Sequence, residues 1–147
     1  MNKKKILIVT NFYYPNFSGI IDYINVLSNS LIDKNFRIYI LTARTNNKQK
    51  RIEKSNNMII IRSNVTFNLS RGYFSFSLIR DFIFISKKVD LINFHFPLVE
   101  ILPLLFLTTK RKILTIHCMP PLVKNNILSL FVKIYFSISC FFSIFFT

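Results

Sequence analysis

Two histidines, each closing a short apolar run and each followed within a few residues by proline, are the side chains best suited to chemistry in this sequence. The runs are Val89-Asp-Leu-Ile-Asn-Phe-His95-Phe-Pro97 and Lys112-Ile-Leu-Thr-Ile-His117-Cys-Met-Pro-Pro121. Near neutral pH an imidazole takes up or gives up a proton, accepts a hydrogen bond when neutral and steadies negative charge when protonated. Whether the two act on one ligand depends on the elements that carry them, since 22 positions separate them in the chain.

Runs of four to six residues rich in Ile, Leu and Phe, without polar alternation, fit strands covered on both faces, as in a parallel sheet flanked by helices. Ligands of such sheets bind outside the carboxyl ends of the strands, so both imidazoles are expected to face one crevice. The rest of the chain supports that setting. Lys5 to Thr10 reads as a strand, and a loop through Tyr13, Tyr14 and Pro15 leads to Ser18-Gly19. Ile20, Ile24, Leu27 and Leu31 then recur at one-face helical spacing, with Asn35 where a left-handed cap belongs. Strands are expected at Arg37 to Thr42 and Met58 to Arg62, with a polar loop from Asn46 to Asn57 between them, and a helix at about Phe74 to Lys88. Alternation of this kind predicts an α/β class: a Rossmann-like, mostly parallel sheet built from βαβ units, in one domain.

The chain has 147 residues, with 17 Phe and 6 Tyr, enough apolar material for a sizeable core and too much for a disordered tail. Twenty Lys and Arg oppose six Asp and Glu, a formal +14, which suits an anionic partner or membrane surface. Nucleic acid gains no motif support. The basic groups at Lys3 to Lys5, Lys87 to Lys88 and Lys110 to Lys112 precede apolar strands and belong at their amino ends, away from the crevice. The group of Arg44, Lys48, Lys50, Arg51 and Lys54 follows a strand and belongs on the crevice side.

Lys3 to Lys5 followed by Ile6 to Val9 imitates a signal peptide, but the apolar stretch breaks at Thr10 and Asn11, short of the ~7 to 15 residues required. Cys118 and Cys140 offer neither metal-ligand spacing nor a disulfide framework, which suits a reducing cytoplasm. From Ile127 to Thr147 the only charge is Lys133, so the tail is long enough to cross a bilayer. Leu128, Phe131, Val132, Tyr135 and Phe136 nevertheless follow a helical stripe with polar residues between them. A core helix with a strand at Ser143 to Thr147 is the leading reading of this tail; a membrane-lying helix and a true span stay open. The stretch from Pro97 to Thr109 is too short to span and carries Glu100.

In order and spacing these residues resemble the amino-terminal half of GT-B glycosyltransferases of family 4. That half opens with a strand, a Pro-containing loop, a Gly-Gly helix start and a Leu-rich helix before a second strand, as Lys5 to Thr42 does. Its Asp-Val-Val-His-Val-His-x-Pro element is met by Asp90-Leu-Ile-Asn-Phe-His95-Phe-Pro97, and its Thr-x-His-Gly-Asp element by Thr115-Ile-His117-Cys-Met. The sequence departs from the pattern at Ser18 for the first glycine, at Ile21 for the acidic residue that follows the pair (with Asp22 one place late), at Asn93 for the first histidine, and at Cys118-Met119 for Gly-Asp.

The resemblance implies transfer of a sugar from a nucleotide-diphosphate donor to an acceptor hydroxyl with retained anomeric configuration, without a bound metal and without a cofactor beyond the donor. In this reading His117 is the catalytic residue, beside the sugar or acceptor hydroxyl, and His95 contacts substrate. Ser18 and Gly19 let the backbone and the helix amino terminus approach the donor phosphates. Tyr14 in the first loop is a candidate for stacking on an acceptor sugar, and Arg51 in the basic loop for meeting a lipid phosphate. The polycationic surface favours a glycan or lipid-linked acceptor at the inner face of the membrane. The family's second Rossmann-like domain, which holds the nucleotide, has no counterpart in these residues. The chain is therefore expected to be an incomplete enzyme, inactive alone or completed by a separately encoded carboxy-terminal half. Two other classes remain open, a small basic membrane protein with an apolar anchor and a nonenzymatic Rossmann-like binding module.

Overall fold

A computed structural model describes residues 3–69 and 72–117, together with 134–135, 137–139 and 141–142. Its elements in chain order are β1 (Lys5–Val9), α1 (Gly19–Asp33), β2 (Arg37–Arg44), β3 (Ile52–Ser55), β4 (Met58–Asn64), β5 (Phe67–Leu69), β6 (Gly72–Phe74), α2 (Phe76–Ser86), β7 (Leu91–Phe96), α3 (Ile101–Phe106) and β8 (Arg111–Ile116). Six strands form one sheet in the order β3-β4-β2-β1-β7-β8. All pairings in it are parallel except that of β3 with β4. The expected α/β, Rossmann-like sheet is therefore present.

The chain builds outward from β1 through β2 to β4, then returns across the sheet to β7 and β8. Crossovers of one hand must then place their helices on opposite faces. Ile21 and Ile24 of α1 bury against Ile6, Ile8, Ile38 and Ile40, with Leu91 at the edge of the cluster. On the other face Leu78 and Phe82 of α2 and Ile101, Leu104 and Leu105 of α3 bury against Leu7, Val9, Leu41, Ile92, Phe94 and Phe96. Unalternated apolar strands are what a sheet covered on both faces needs.

Local signals fix the helix ends. Ser18 caps α1, its Oγ accepting the Ile21 N–H. Asn35 ends it at φ 67°, with Phe36 N–H reaching the Leu31 carbonyl and Asn35 N–H that of Ile32. This is a Schellman closure with asparagine in the left-handed position. Ser75 caps α2 through a 3.0 Å bond from Leu78 N–H.

Three local expectations need correction. The stretch from Asn46 to Asn57 is not all loop, because Ile52–Ser55 forms β3 against β4. Ile-Glu-Lys-Ser at an exposed edge has no hydrophobic pattern to betray it; its pairing comes from the backbone of β4. The hairpin of β5 and β6 was likewise unforeseen, and because β6 takes residues through Phe74, α2 begins at Phe76. The antiparallel return of β3 also sets Lys54 opposite Ile59 near the amino end of β4, away from the crevice side on which the basic group otherwise lies. The remaining basic groups fall as expected, at the amino ends of β1, β7 and β8. Cys118, Cys140, the strand expected at Ser143 to Thr147 and most of the apolar tail lie outside the described residues. Among the described residues no helix is long and apolar enough to cross a membrane.

Candidate functional site

The registers place one residue from each of four strands in a single row. Phe94 stands beside Val9, Val9 beside Leu41, and Leu41 beside Ile61. One step toward the carboxyl ends come His95, Thr10, Thr42 and Arg62, with exposures of 1%, 2%, 1% and 2%. Side chains two apart share a face of a strand. This row therefore continues the face of Leu91, Ile6 and Ile8, Ile38 and Ile40, and Met58 and Ile60, the face that α1 covers. A sheet face that is apolar beneath α1 thus turns polar at its carboxyl edge, where β1 and β7 diverge in topology and where ligands of such sheets bind.

Three buried polar atoms of the row, Nε2 of His95, Oγ1 of Thr42 and Nε of Arg62, have no hydrogen-bond partner among the described residues. Burying a polar group without a partner costs about 1–3 kcal/mol. Three such groups along one row mark a stretch of the sheet edge suited to polar partners.

At one end of the row the two histidines meet. His95 Nδ1 and His117 Nε2 are 2.8 Å apart, with the rings stacked at 5.0 Å between centroids. The Tyr23 ring, from the second turn of α1, packs on both, T-shaped at 5.1 Å from His117 and tilted at 5.9 Å from His95. Burial drives the His95 imidazole down to about 3, with the neighbouring His117 adding to the effect. Burial also lowers His117, which is only half-buried. Both rings are therefore neutral at pH 7. In a neutral pair one ring nitrogen donates to the other, which leaves two arrangements. When His117 Nε2–H donates to His95, the Nδ1 of His117 is left as an acceptor, the form that takes a hydrogen bond from a ligand hydroxyl. When His95 Nδ1–H donates instead, His117 Nδ1 carries the proton and donates outward. A partner at His117 thereby selects the protonation of His95 Nε2.

The other end of the row is cationic. Arg62 gives Nη1 to the Lys50 carbonyl at 3.1 Å and Nη2 to that of Tyr14 at 2.9 Å, and pairs with Glu53 at 3.1 Å. It lines a cavity of about 400 Å³ together with Tyr14, Pro15, Asn46, Lys48, Gln49, Lys50 and Glu53. The first loop and the basic loop are thus contiguous.

The residues singled out from sequence are distributed as follows. His95 and His117 come together. Tyr14 lies at the cationic end, edge-on to Tyr13 and Phe17. The Arg51 guanidinium instead pairs with Asp81 of α2 at 3.1 Å, and Asp81 also accepts from Ser63 Oγ at 2.8 Å. Ser18 and Gly19 are exposed at the start of α1, and open space surrounds the position a Cβ on Gly19 would occupy. Among the described residues no cluster of three His, Cys, Asp or Glu is placed to hold a metal. Tyr23, Thr10, Thr42 and Arg62 were missed. The last three carry the same signal as the histidines, a polar residue that interrupts or ends an apolar run.

No family model and no curated protein matches the sequence. Among solved structures the chain is similar to sucrose-phosphate synthase from Thermosynechococcus elongatus, at TM-score 0.44 and 13% identity over 63% of this chain and 27% of that one. A second structure of that enzyme aligns at TM-score 0.48 and 13% identity, over 78% of this chain and 64% of the other, so the chain spans less than two thirds of the length of either.

Proposed function

We propose that this chain forms the acceptor-side half of a retaining glycosyltransferase, and that a hexosyl group passes from a nucleotide-diphosphate sugar to a glycan or lipid-linked acceptor in cell-envelope synthesis. The observation that carries the reading is the neutral His95–His117 pair at the carboxyl ends of adjacent parallel strands, beside the switch point of the sheet. The likeness of the two histidine elements and the first loop to family 4 glycosyltransferases supplies the reaction class.

In this reading the acceptor hydroxyl donates a hydrogen bond to Nδ1 of His117, whose Nε2–H is held by His95. As the acceptor oxygen bonds to the anomeric carbon, the bond from that carbon to the diphosphate breaks, and the hydroxyl proton leaves toward His117 or the departing phosphate oxygen. Exposed Ser18 and Gly19 leave the backbone at the start of α1 open to the donor phosphates. A second domain or a separately encoded half holds the nucleotide, on the cytoplasmic face of the membrane.

The test is a transfer assay on the chain produced together with its flanking reading frames, using a panel of nucleotide sugars and membrane glycolipid extract. His117→Ala is expected to lower the rate by roughly 100-fold or more, the usual contribution of a positioned acid or base. Flanking DNA without a nucleotide-binding domain, or an H117A enzyme as active as the parent, removes the reading.

A further inference from the structure

The cationic end of the polar row is a separate site. We infer that the cavity between the first loop and the basic loop binds a phosphate group, with Arg62 at its floor and Lys48 and Lys50 at its rim. A guanidinium is almost never buried unless paired, because desolvating its charge is expensive. Arg62 is 2% exposed, yet only the half-exposed Glu53 opposes it, and its Nε–H has no partner among the described residues. Each Nη gives one N–H to a backbone carbonyl, Nη1 to Lys50 and Nη2 to Tyr14, which fixes the fork and ties together the loops that form the walls. Beside it on β2, behind the cavity lining, Thr42 buries a hydroxyl that also lacks a partner among the described residues.

Charge at the cavity sums to three cations against one carboxylate, Arg62, Lys48 and Lys50 against Glu53. A volume of about 400 Å³ admits a phosphate with a small organic group attached. Tyr14 adds an aromatic wall, suited to the apolar face of whatever carries the phosphate. Strands lie ~4.8 Å apart, so three spacings put Arg62 roughly 15 Å from His95 along the floor. A phosphate there is an anchor and not the group that reacts at the histidines. The site stands whether or not sugar transfer takes place at His117, so its failure and that of the transferase reading are distinguishable.

The experiment is calorimetric titration of the whole chain with inorganic phosphate and glycerol phosphate, repeated as competition against phosphatidylcholine vesicles doped with phosphatidic acid. One saturable site is expected. The double variant Lys48→Gln with Lys50→Gln, at exposed positions, should weaken it about tenfold, the effect of two partly screened cations. Lys87→Gln with Lys88→Gln makes the same charge change at the amino ends of the strands and should leave it unaltered. Arg62→Leu should abolish binding; because it also frees two backbone carbonyls, the lysine pair decides the matter if that variant fails to fold. Displacement of vesicles by inorganic phosphate assigns the site to a lipid headgroup, and binding of glycerol phosphate without vesicle uptake assigns it to a soluble phosphoester. Absence of saturable binding by either source, or equal loss in both lysine pairs, overturns the site.

Discussion

Asn93 and Thr115 are joined by a 3.0 Å hydrogen bond, Thr115 Oγ1 to Asn93 Oδ1, across the same 22-residue separation that brings His95 to His117. Residues 93 and 95 share one face of β7, and residues 115 and 117 continue one face of β8. The backbone register pairs His95 with Thr115, so each bond runs diagonally, one pleat repeat ahead on β8. The ladder of Asn93–Thr115 and His95–His117 thus holds a single offset between the strands. Asn93, which stands where the family pattern has a histidine, serves here as the buried base of the pair.

That role makes a double-variant prediction. Thr115→Val keeps the shape but leaves Asn93 Oδ1 without its donor, at an expected cost of about 1–3 kcal/mol. Adding Asn93→Leu removes the orphaned oxygen and should return the chain to within about 1 kcal/mol of the parent, since replacing both partners by apolar groups is nearly neutral. Urea unfolding of the two variants checks this; a double variant worse than the single would show the ladder to be immaterial.

The histidine pair should make folding sensitive to acid. His95 is depressed from 6.5 to about 3 in the folded chain, so between these values the unfolded chain binds more protons. Stability is then complete above pH 6.5 and is lost as pH falls toward 3, with an upper bound of about 5 kcal/mol for the whole window. In ¹⁵N spectra the His95 ring should stay neutral down to pH 4. His95→Phe should flatten the acid limb of the stability profile, and an unchanged limb would place the acid sensitivity elsewhere.

Much of the site was legible because its parts share one signal. A polar residue ending an apolar run marks the carboxyl end of a buried strand, and His95, His117, Thr10, Thr42 and Arg62 all carry it. Attention to imidazole chemistry picked out two of the five, and Arg62 figured only as the last residue of the strand expected at Met58 to Arg62. Arg51 drew notice as part of a charge run, but its partner Asp81 is 30 residues away on α2, a contact no local pattern announces. The edge strand β3 and the hairpin of β5 and β6 were illegible for a related reason. Asn11 at the end of β1 fastens that hairpin through both its amide atoms to the backbone of Tyr73, at 2.9 and 3.0 Å. Tertiary bonds of this kind leave no periodicity.

Glu100 predicts the opposite pH trend from His95. It is buried directly before α3; one carboxylate oxygen accepts from the N–H of Ser75, the cap of α2, at 2.6 Å, and the other has no partner among the described residues. Burial raises its carboxyl to about 7 against the hydrogen bonds that oppose the rise. The folded chain therefore binds the extra proton between pH 4.5 and 7, and stability falls as pH rises through that window, by at most about 3 kcal/mol. Glu100→Gln keeps an acceptor for Ser75 and removes the charge. It should be neutral at pH 4.5 and stabilising at pH 8; equal stability of parent and variant at both values would contradict the assignment.

Gly19 separates folding from function. It opens α1 without a positive φ, and a Cβ there would meet nothing within 4 Å, so the fold does not require glycine at this position. Gly19→Ala should therefore stabilise the chain by about 0.5–1 kcal/mol, because alanine loses less backbone freedom on entering a helix. If the position is glycine so that donor phosphates can approach the backbone beside the Ser18 cap, the same methyl should weaken donor binding in the assembled enzyme while leaving the phosphate site at Arg62 untouched. Thermal unfolding and donor affinity measured on one G19A preparation test both halves. A variant that is more stable and binds donor as well as the parent would return Gly19 to the status of an ordinary first-turn residue.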